Sequence, residues 1–455
     1  MTTPYLFQVK AAQQAKQWGG RCLLALEMGL GKSLTSLLWA HEHPKARPVI
    51  IVCPASLKWN WERECKVHFG MRAEILEGMN AKRYNFSFSK RNIVIINYDI
   101  LHAWLDYLQA LKPQLIILDE CHYIANLSAR RTKAVRKLCV GVPHALALSG
   151  TPLTNRPLEL WPTLNILRPE LFPSLRQFCF RYCAPRRVPW GSGWDFSGAS
   201  HLDELHRILT SQVMVRMKKA DVLKDLPTKR IITVPVEVCN RKEYDKAHKD
   251  FIKWLAEKDM AKARRAMAAE RLVRMHGLKR LVGQLKRPAV EEWVDNFLAD
   301  SDGKLALFGT HVEITEGLHK RYSRQSVLVN GRVIGKDRQK AVDQFQRHDK
   351  TRLFVGNIKA AGVGLNLTAA STMAFAEFGW TPGEHTQAMD RLHRIGQTEG
   401  VDAFWLVARG TIEEHLVKIV QDKATVLGKT LDGKGNGDSL NVYDQLEQQL
   451  LKEAK

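Results

Sequence analysis

Residues 22–40 read Cys22-Leu-Leu-Ala-Leu-Glu-Met-Gly-Leu-Gly-Lys-Ser-Leu-Thr-Ser-Leu-Leu-Trp-Ala40. The first five are an apolar run of strand length, the last seven are a helical stretch, and a glycine-containing loop joins them. Strand, glycine loop and helix are the local plan of a phosphate site. Glycine lets successive backbone N–H groups approach phosphate oxygens, and the helix N-terminus adds its dipole. Met28, Gly29, Leu30 and Gly31 supply the loop, Lys32 reaches the terminal phosphates of ATP, and the Ser33 hydroxyl serves Mg²⁺. Leu26 stands where the general GxxxxGK[ST] pattern has its first glycine, so a second signal is needed.

That signal is Leu115-Ile-Ile-Leu-Asp-Glu-Cys-His122, an apolar strand that delivers two carboxylates at its C-terminal end, the edge of a parallel sheet where ligands bind. Asp119 can hold Mg²⁺ through water, and Glu120 is placed to polarise the water that attacks the γ-phosphorus. A third signal is Gln387-Ala-Met-Asp-Arg-Leu-His-Arg-Ile-Gly-Gln397. Arg391 and Arg394 are three apart, which on a helix places them on one face, and arginines that reach a bound ATP neutralise charge developing in the transition state.

Working outward, apolar strand-length runs recur at Val49–Cys53, Ile93–Tyr98, Leu115–Leu118 and Ala145–Ser149. They return at Leu305–Gly309, Ser326–Asn330, Leu353–Gly356, Thr372–Glu377 and Ala403–Val407. Helical-looking segments alternate with them, so the expected class is α/β with two doubly wound parallel-sheet lobes. Between the two series, residues 156–230 are rich in Pro, aromatic and Arg residues and read as an irregular helical excursion. Arg241–His276 contains no Gly or Pro and predicts one or two long helices. Residues 241–290 hold fifteen Lys or Arg against six Asp or Glu, a balance of +9 that fits either a duplex-facing arm or a solvated helix face. Thr411–Leu431 reads as a helix, followed by a tail containing GKGNGD.

The chain has 455 residues, with 69 Lys plus Arg against 47 Asp plus Glu, a formal net charge of +22. Such an excess points to a polyanionic partner, nucleic acid first. No apolar run approaches the roughly 18 residues of a membrane span, and the N-terminus has no basic segment leading into an apolar one. An intracellular location with eight cysteine thiols is expected, cytoplasmic if the source is bacterial or viral. Cys179, Cys183, His201 and His206 loosely resemble a two-Cys, two-His zinc site, but the spacing is long and Trp190, Trp194 and Phe196 lie among them. A packing role is expected instead.

Together these residues resemble the ATPase core of the Swi/Snf-type DNA translocases of helicase superfamily two, over nearly the whole chain. Val52-Cys-Pro-Ala-Ser-Leu-Lys-Trp-Asn-Trp61, Ser149-Gly-Thr-Pro152 with Asn155 and Arg156, and Ala360-Ala-Gly-Val-Gly-Leu-Asn-Leu-Thr-Ala369 add to the match. The segment from Arg181-Tyr-Cys183 through Trp194 and Gly198 to Leu226-Pro227 is similar to the HARP-related annealing-helicase branch. The resemblance implies two RecA-like lobes that hydrolyse ATP with Mg²⁺ in the cleft between them. It also implies ATP-driven movement along double-stranded DNA as a monomer, without obligatory strand separation. An ATP-switched DNA clamp, a strand-separating helicase and an RNA-directed relative are the alternatives.

The same resemblance implies an adenine-reading role for Gln8. It implies coupling roles for Ser149, Gly150, Thr151 and Gln387, and DNA contacts from Ser56, Lys58 and Asn97 and from Thr310, Gly362 and Asn366. Implied domains are a first lobe over 1–230 with a protrusion at about 156–226, a second over 231–410 with a protrusion at about 241–300, and a C-terminal brace helix and tail over 411–455. The sequence departs from the family at Leu26-Glu27, where Asp-Glu is usual, and at Asp-Glu-Cys-His. It departs again at Met217, which follows Arg216 where a second Arg is common, and at Phe308-Gly-Thr-His311. Only seven residues precede Gln8, so no upstream module is expected, and the resemblance is not extended to annealing or remodelling.

Overall fold

The computed structural model describes residues 3–80, 93–150, 152, 156–187, 193–257, 268–333, 335–361 and 365–431, together with 446 and 450. Two compact units divide the chain, the first holding the residues up to Asp225 and the second those from Leu226 to Thr425.

Strands of the first unit are β1 (Arg21–Leu26), β2 (Val49–Cys53), β3 (Ala73–Ile75), β4 (Ile93–Asn97), β5 (Leu115–Asp119) and β6 (His144–Leu148). They are followed by a two-stranded pair, β7 (Arg186–Arg187) and β8 (Trp194–Asp195), and by β9 (Met214–Met217). The main sheet runs β3-β4-β2-β5-β6-β1-β9 and is parallel throughout. Its central strands β2, β4 and β5 are buried at every residue, as expected for strands covered by helices on both faces.

The second unit contributes β10 (Lys229–Val236), β11 (Leu305–Gly309), β12 (Ser326–Val329), β13 (Leu353–Asn357), β14 (Thr372–Phe375) and β15 (Val401–Ala408), in the order β10-β15-β14-β11-β13-β12. These also pair in parallel. Alternate residues of β11 enter two separate cores. Ala306 and Phe308 join Phe354, Phe375 and Trp405, while Leu305 and Leu307 join Val290, Leu353 and Leu406. That period of two shows a sheet packed on both sides.

Every apolar run foreseen as a strand is one, within a residue or two at its ends. Three strands at sheet edges were not foreseen: β3, β9 and β10. β9 lies inside the segment read as a helical excursion, beside helices Trp161–Leu167, Leu175–Tyr182 and Leu202–Gln212. The Gly- and Pro-free stretch contains helix Arg241–Glu257 and the start of Ala268–Leu285, and Arg287–Asp300 follows. Helix Ile412–Leu431 matches its expectation, and GKGNGD lies outside the described residues. Cys179 and Cys183 are buried with Phe178 and Tyr182 in the first unit's core, which is a packing role. Among the described residues no helix is long and apolar enough to cross a membrane.

Candidate nucleotide site

β1 ends at Leu26 and helix Lys32–Glu42 begins six residues later, so the glycine loop spans the turn between them. Gly29 and Gly31 have φ of 88° and 75°. In that left-handed region a Cβ costs about 1–2 kcal/mol, and Gly31 has a second restriction. A Cβ there would lie 2.4 Å from Nε2 of Gln8. Gln8 is buried and closes the loop from below, donating to the Leu30 carbonyl at 2.9 Å and accepting from the Tyr5 N–H at 3.0 Å. Gly31→Ala should therefore raise KM for ATP about tenfold, with a smaller effect on kcat. An unchanged KM in a steady-state titration would show that the loop's shape does not set nucleotide affinity.

The end of β6 approaches the same loop. A Cβ at Gly150 would lie 2.4 Å from Met28 Cγ and 3.2 Å from both the Met28 backbone nitrogen and Lys32 Nζ. Residue 150 must therefore be small. Arg216 spans the two segments, its Nη1 donating to the carbonyls of Ala25 (3.1 Å) and Gly150 (3.2 Å). Lys32 Nζ donates to the Leu26 carbonyl at 3.3 Å, so the position that lacks the usual glycine still serves the lysine through its backbone.

Asp119 closes β5 and is buried. Trp61 Nε1 donates to its Oδ2 at 2.8 Å, and the Glu120 N–H to its Oδ1 at 2.9 Å. Tyr98 donates to its carbonyl at 2.7 Å. Burial, reinforced by neighbouring Glu120, pushes the Asp119 carboxyl up to about 7, against the pull of the Trp61 N–H and the Lys32 ammonium. Two adjacent buried carboxylates are costly unless cations join them. With the Ser33 hydroxyl from the loop, this donor set suits the hard cation Mg²⁺, which keeps much of its water. Glu120 has a left-handed backbone (φ 49°), and its Oε2 lies 3.4 Å from His122 Nδ1.

Of the other first-unit candidates, Ser149 is buried and its N–H donates to the Leu24 carbonyl at 3.3 Å, while Thr151 lies outside the described residues. Ser56 is exposed. Lys58 and Asn97 are buried, and Lys58 Nζ donates to the Leu76 carbonyl at 3.0 Å. Burial lowers the Lys58 pKa. Lys58 Nζ thus serves the unit's own backbone and lies 3.8 Å from Glu77 Oε1. Trp61, Tyr98 and Arg216 carry the site's internal bonds. The first lay within a quoted motif without a role, and only packing against Asp119 reveals it.

In the second unit, Arg391 and Arg394 do not share a helix face. Helix Pro382–Met389, which carries Gln387, stops before them, and both occupy the turns that follow. The Arg391 carbonyl accepts the Leu367 N–H at 3.0 Å, and Arg394 Nη1 donates to the Leu365 carbonyl at 3.1 Å. The Arg391 carbonyl is thus taken by a distant segment of the same chain instead of by the next helical turn. Asn366 is exposed on that segment, and Gly362 lies outside the described residues. Thr310 is half-buried at the end of β11.

A family model described as SNF2-related domain matches residues 9–288, more than half the chain, and one described as helicase conserved C-terminal domain matches residues 289–396. The chain is similar to the SWI/SNF-related matrix-associated actin-dependent regulator of chromatin subfamily A-like protein 1 of Xenopus tropicalis. The two are 33% identical over 430 residues, which is 93% of this chain and 44% of that protein. It is also 30% identical to the human DNA annealing helicase and endonuclease ZRANB3 over 441 residues, 94% of this chain and 40% of that one. The chain thus spans less than half the length of these relatives. Among solved structures, the Sulfolobus solfataricus SWI2/SNF2 ATPase core in complex with dsDNA has a TM-score of 0.44 at 22% identity, over 95% of this chain and 94% of that one.

Proposed function

The chain belongs to the SNF2-related domain family, and from that premise we propose that it is a DNA-dependent ATPase that converts ATP hydrolysis into movement along duplex DNA. One observation carries the reading. β6 pairs with β5, setting Leu148 opposite Asp119, and Gly150, just past β6, packs against Met28 and Lys32 of the glycine loop, so two motifs some 85 residues apart meet at one edge of the sheet. The net charge of +22 supplies the general attraction for a polyanionic track.

In this reading the loop N–H groups of Met28 to Gly31 and the Lys32 ammonium cradle the phosphates, and Gln8 holds the loop and faces the adenine. Ser33 and Asp119 would hold Mg²⁺, which would supply charge neutralisation at the phosphates. Glu120 orients and polarises the attacking water, and Arg391 and Arg394 stabilise charge in the transition state. Ser149, Gly150, Thr151 and Gln387 couple the nucleotide to the track, and Ser56, Lys58, Asn97, Thr310, Gly362 and Asn366 are its contact candidates. The reading takes a monomer inside the cell as the working form.

Steady-state ATP hydrolysis with no nucleic acid, duplex DNA, single-stranded DNA and RNA tests it. Duplex DNA should stimulate turnover most. Equal or greater stimulation by RNA would overturn the substrate assignment, and tight ATP-dependent binding with little turnover would make the protein a clamp. Displacement of a third strand from a triplex tests movement itself.

A further inference from the structure

We infer that Lys279 is a positioning residue that makes Thr310 a committed hydroxyl donor to a phosphate oxygen of nucleic acid, an inference that rests on the reading above. Thr310 and His311 form the turn between β11 and helix Val312–Arg321, at the C-terminal edge of the second sheet. Ligands of parallel sheets bind at that edge.

Three side chains from three other segments grip this turn. Glu377, after β14, accepts from the backbone N–H groups of Thr310 (2.8 Å) and His311 (2.9 Å), and its Oε1 lies 2.5 Å from His311 Nδ1. Asn357, the last residue of β13, donates to the Thr310 carbonyl at 2.6 Å. Lys279, on helix Ala268–Leu285, donates its Nζ to Thr310 Oγ1 at 3.2 Å.

The donor inventory then decides where the Thr310 proton goes. An ammonium has donors and no acceptor, so it takes a lone pair of the hydroxyl and leaves the hydroxyl proton to be donated elsewhere. The other partner in range is His311 Nδ1 at 3.4 Å. That nitrogen is held against a carboxylate, so it carries a proton itself and cannot accept one. Among the described residues no further partner of the Thr310 hydroxyl is found, and the hydroxyl is half-buried at the sheet edge. A phosphodiester oxygen is an acceptor without a proton, which is the complement such a donor requires.

Lys279 does not reach the ligand itself. It is 2% exposed, its Nζ sits 5.1 Å from the centroid of the Trp380 ring, and His276, one turn earlier, packs edge-on against the same ring. Burial lowers its pKa to about 8. Glu377, Glu413 and Glu384 oppose that shift, while Lys286 on its own helix adds to it. His276 and the buried His385 also feel the Lys279 charge, His311 lies beside Thr310, and Lys359 acts on His276 in turn. Below pH 8 the ammonium holds the Thr310 proton outward. Above it the neutral amine can accept that proton, and the donor turns inward.

Duplex-stimulated ATP hydrolysis, titrated with duplex at several pH values, tests the inference. Lys279→Met keeps the alkyl chain on Trp380 and should raise KM for duplex about tenfold, the size of one hydrogen bond to a charged group. KM for ATP should hold. Thr310→Val, which keeps the β-branched shape, should give the same rise, and the double variant should be no worse than either single one. In the wild type KM for duplex should rise as pH passes through about 8, whereas Lys279→Arg, which stays charged, should retain low KM throughout. An unchanged duplex KM in both single variants would overturn the inference. So would matched losses in kcat and ATP affinity, which mark a merely structural lysine. A wild type that duplex does not stimulate would instead overturn the DNA-dependent ATPase reading, and this inference with it.

Discussion

Glu120→Gln is expected to cut duplex-stimulated ATP turnover by about 10²–10⁴, the usual contribution of a positioned acid–base group. ATP affinity should stay within about threefold, since the amide is isosteric and Glu120 is not among the phosphate-cradling groups. The left-handed backbone at residue 120 sets where the carboxylate points, and the substitution leaves that backbone as it is. The Glu120 N–H still donates to Asp119 Oδ1, so the metal-side carboxylate keeps its partner. Nucleotide binding by a fluorescent ATP analogue, measured beside steady-state turnover, separates the two effects. Retention of more than about a tenth of the turnover would assign water activation to another group. Loss of nucleotide binding would mean that Glu120 holds the loop instead.

A second large effect is expected far from the phosphates. Lys286 and Glu413 are both 0% exposed, with Nζ and Oε2 2.6 Å apart. The ammonium also donates to the Leu406 carbonyl at 2.7 Å and lies 4.8 Å from the centroid of the Phe378 ring, while Glu413 accepts the Ala408 N–H at 3.0 Å. Lys286→Met strands a buried carboxylate, which costs about 3–5 kcal/mol. For a unit of this size that is a fall of roughly 10 °C in its melting transition. Adding Glu413→Gln removes the stranded charge, keeps an acceptor for the Ala408 N–H, and should recover at least about half the loss. Thermal unfolding of both variants measures it. If the double variant is as unstable as the single one, the lysine stabilises by packing on Phe378 and not by its charge.

Much of the fold was legible because the information was local. β2 and β11 are unbroken apolar runs, and β5 and β13 are apolar up to a polar last residue, Asp119 and Asn357, the pattern of strands buried on both faces. The glycine loop was legible for a similar reason, since its conformation depends on the absence of Cβ atoms in the loop itself. The edge strands were not. β3 has three residues, β9 reads Met-Val-Arg-Met, and β10 is half-buried or exposed at every position but its last, Val236. Each is a strand because a neighbour offers it a ladder, and that neighbour is distant in sequence: β1 for β9, β15 for β10.

The candidate site divides along the same line. Residue types and spacing alone picked out Lys32, Ser33, Asp119 and Glu120 as groups suited to phosphate and a divalent cation. Whether Asp119 is held, and by what, was decided by Trp61 folding across from residue 58 to 69's helix and by Glu120 sharing its burial. Arg391 and Arg394 had helical spacing, yet long-range bonds to residues 365–367 place them in turns. Lys58 had the charge of a ligand contact, and the fold also sets it on the Leu76 carbonyl. Thr310, Lys279, Glu377 and Asn357 are scattered over nearly a hundred residues, and no local pattern joins them. Sequence determines periodic burial, loop freedom and charge because each is a property of near neighbours. The partner, protonation and direction of a polar side chain depend on which distant segments remove it from water, and only the tertiary structure decides that.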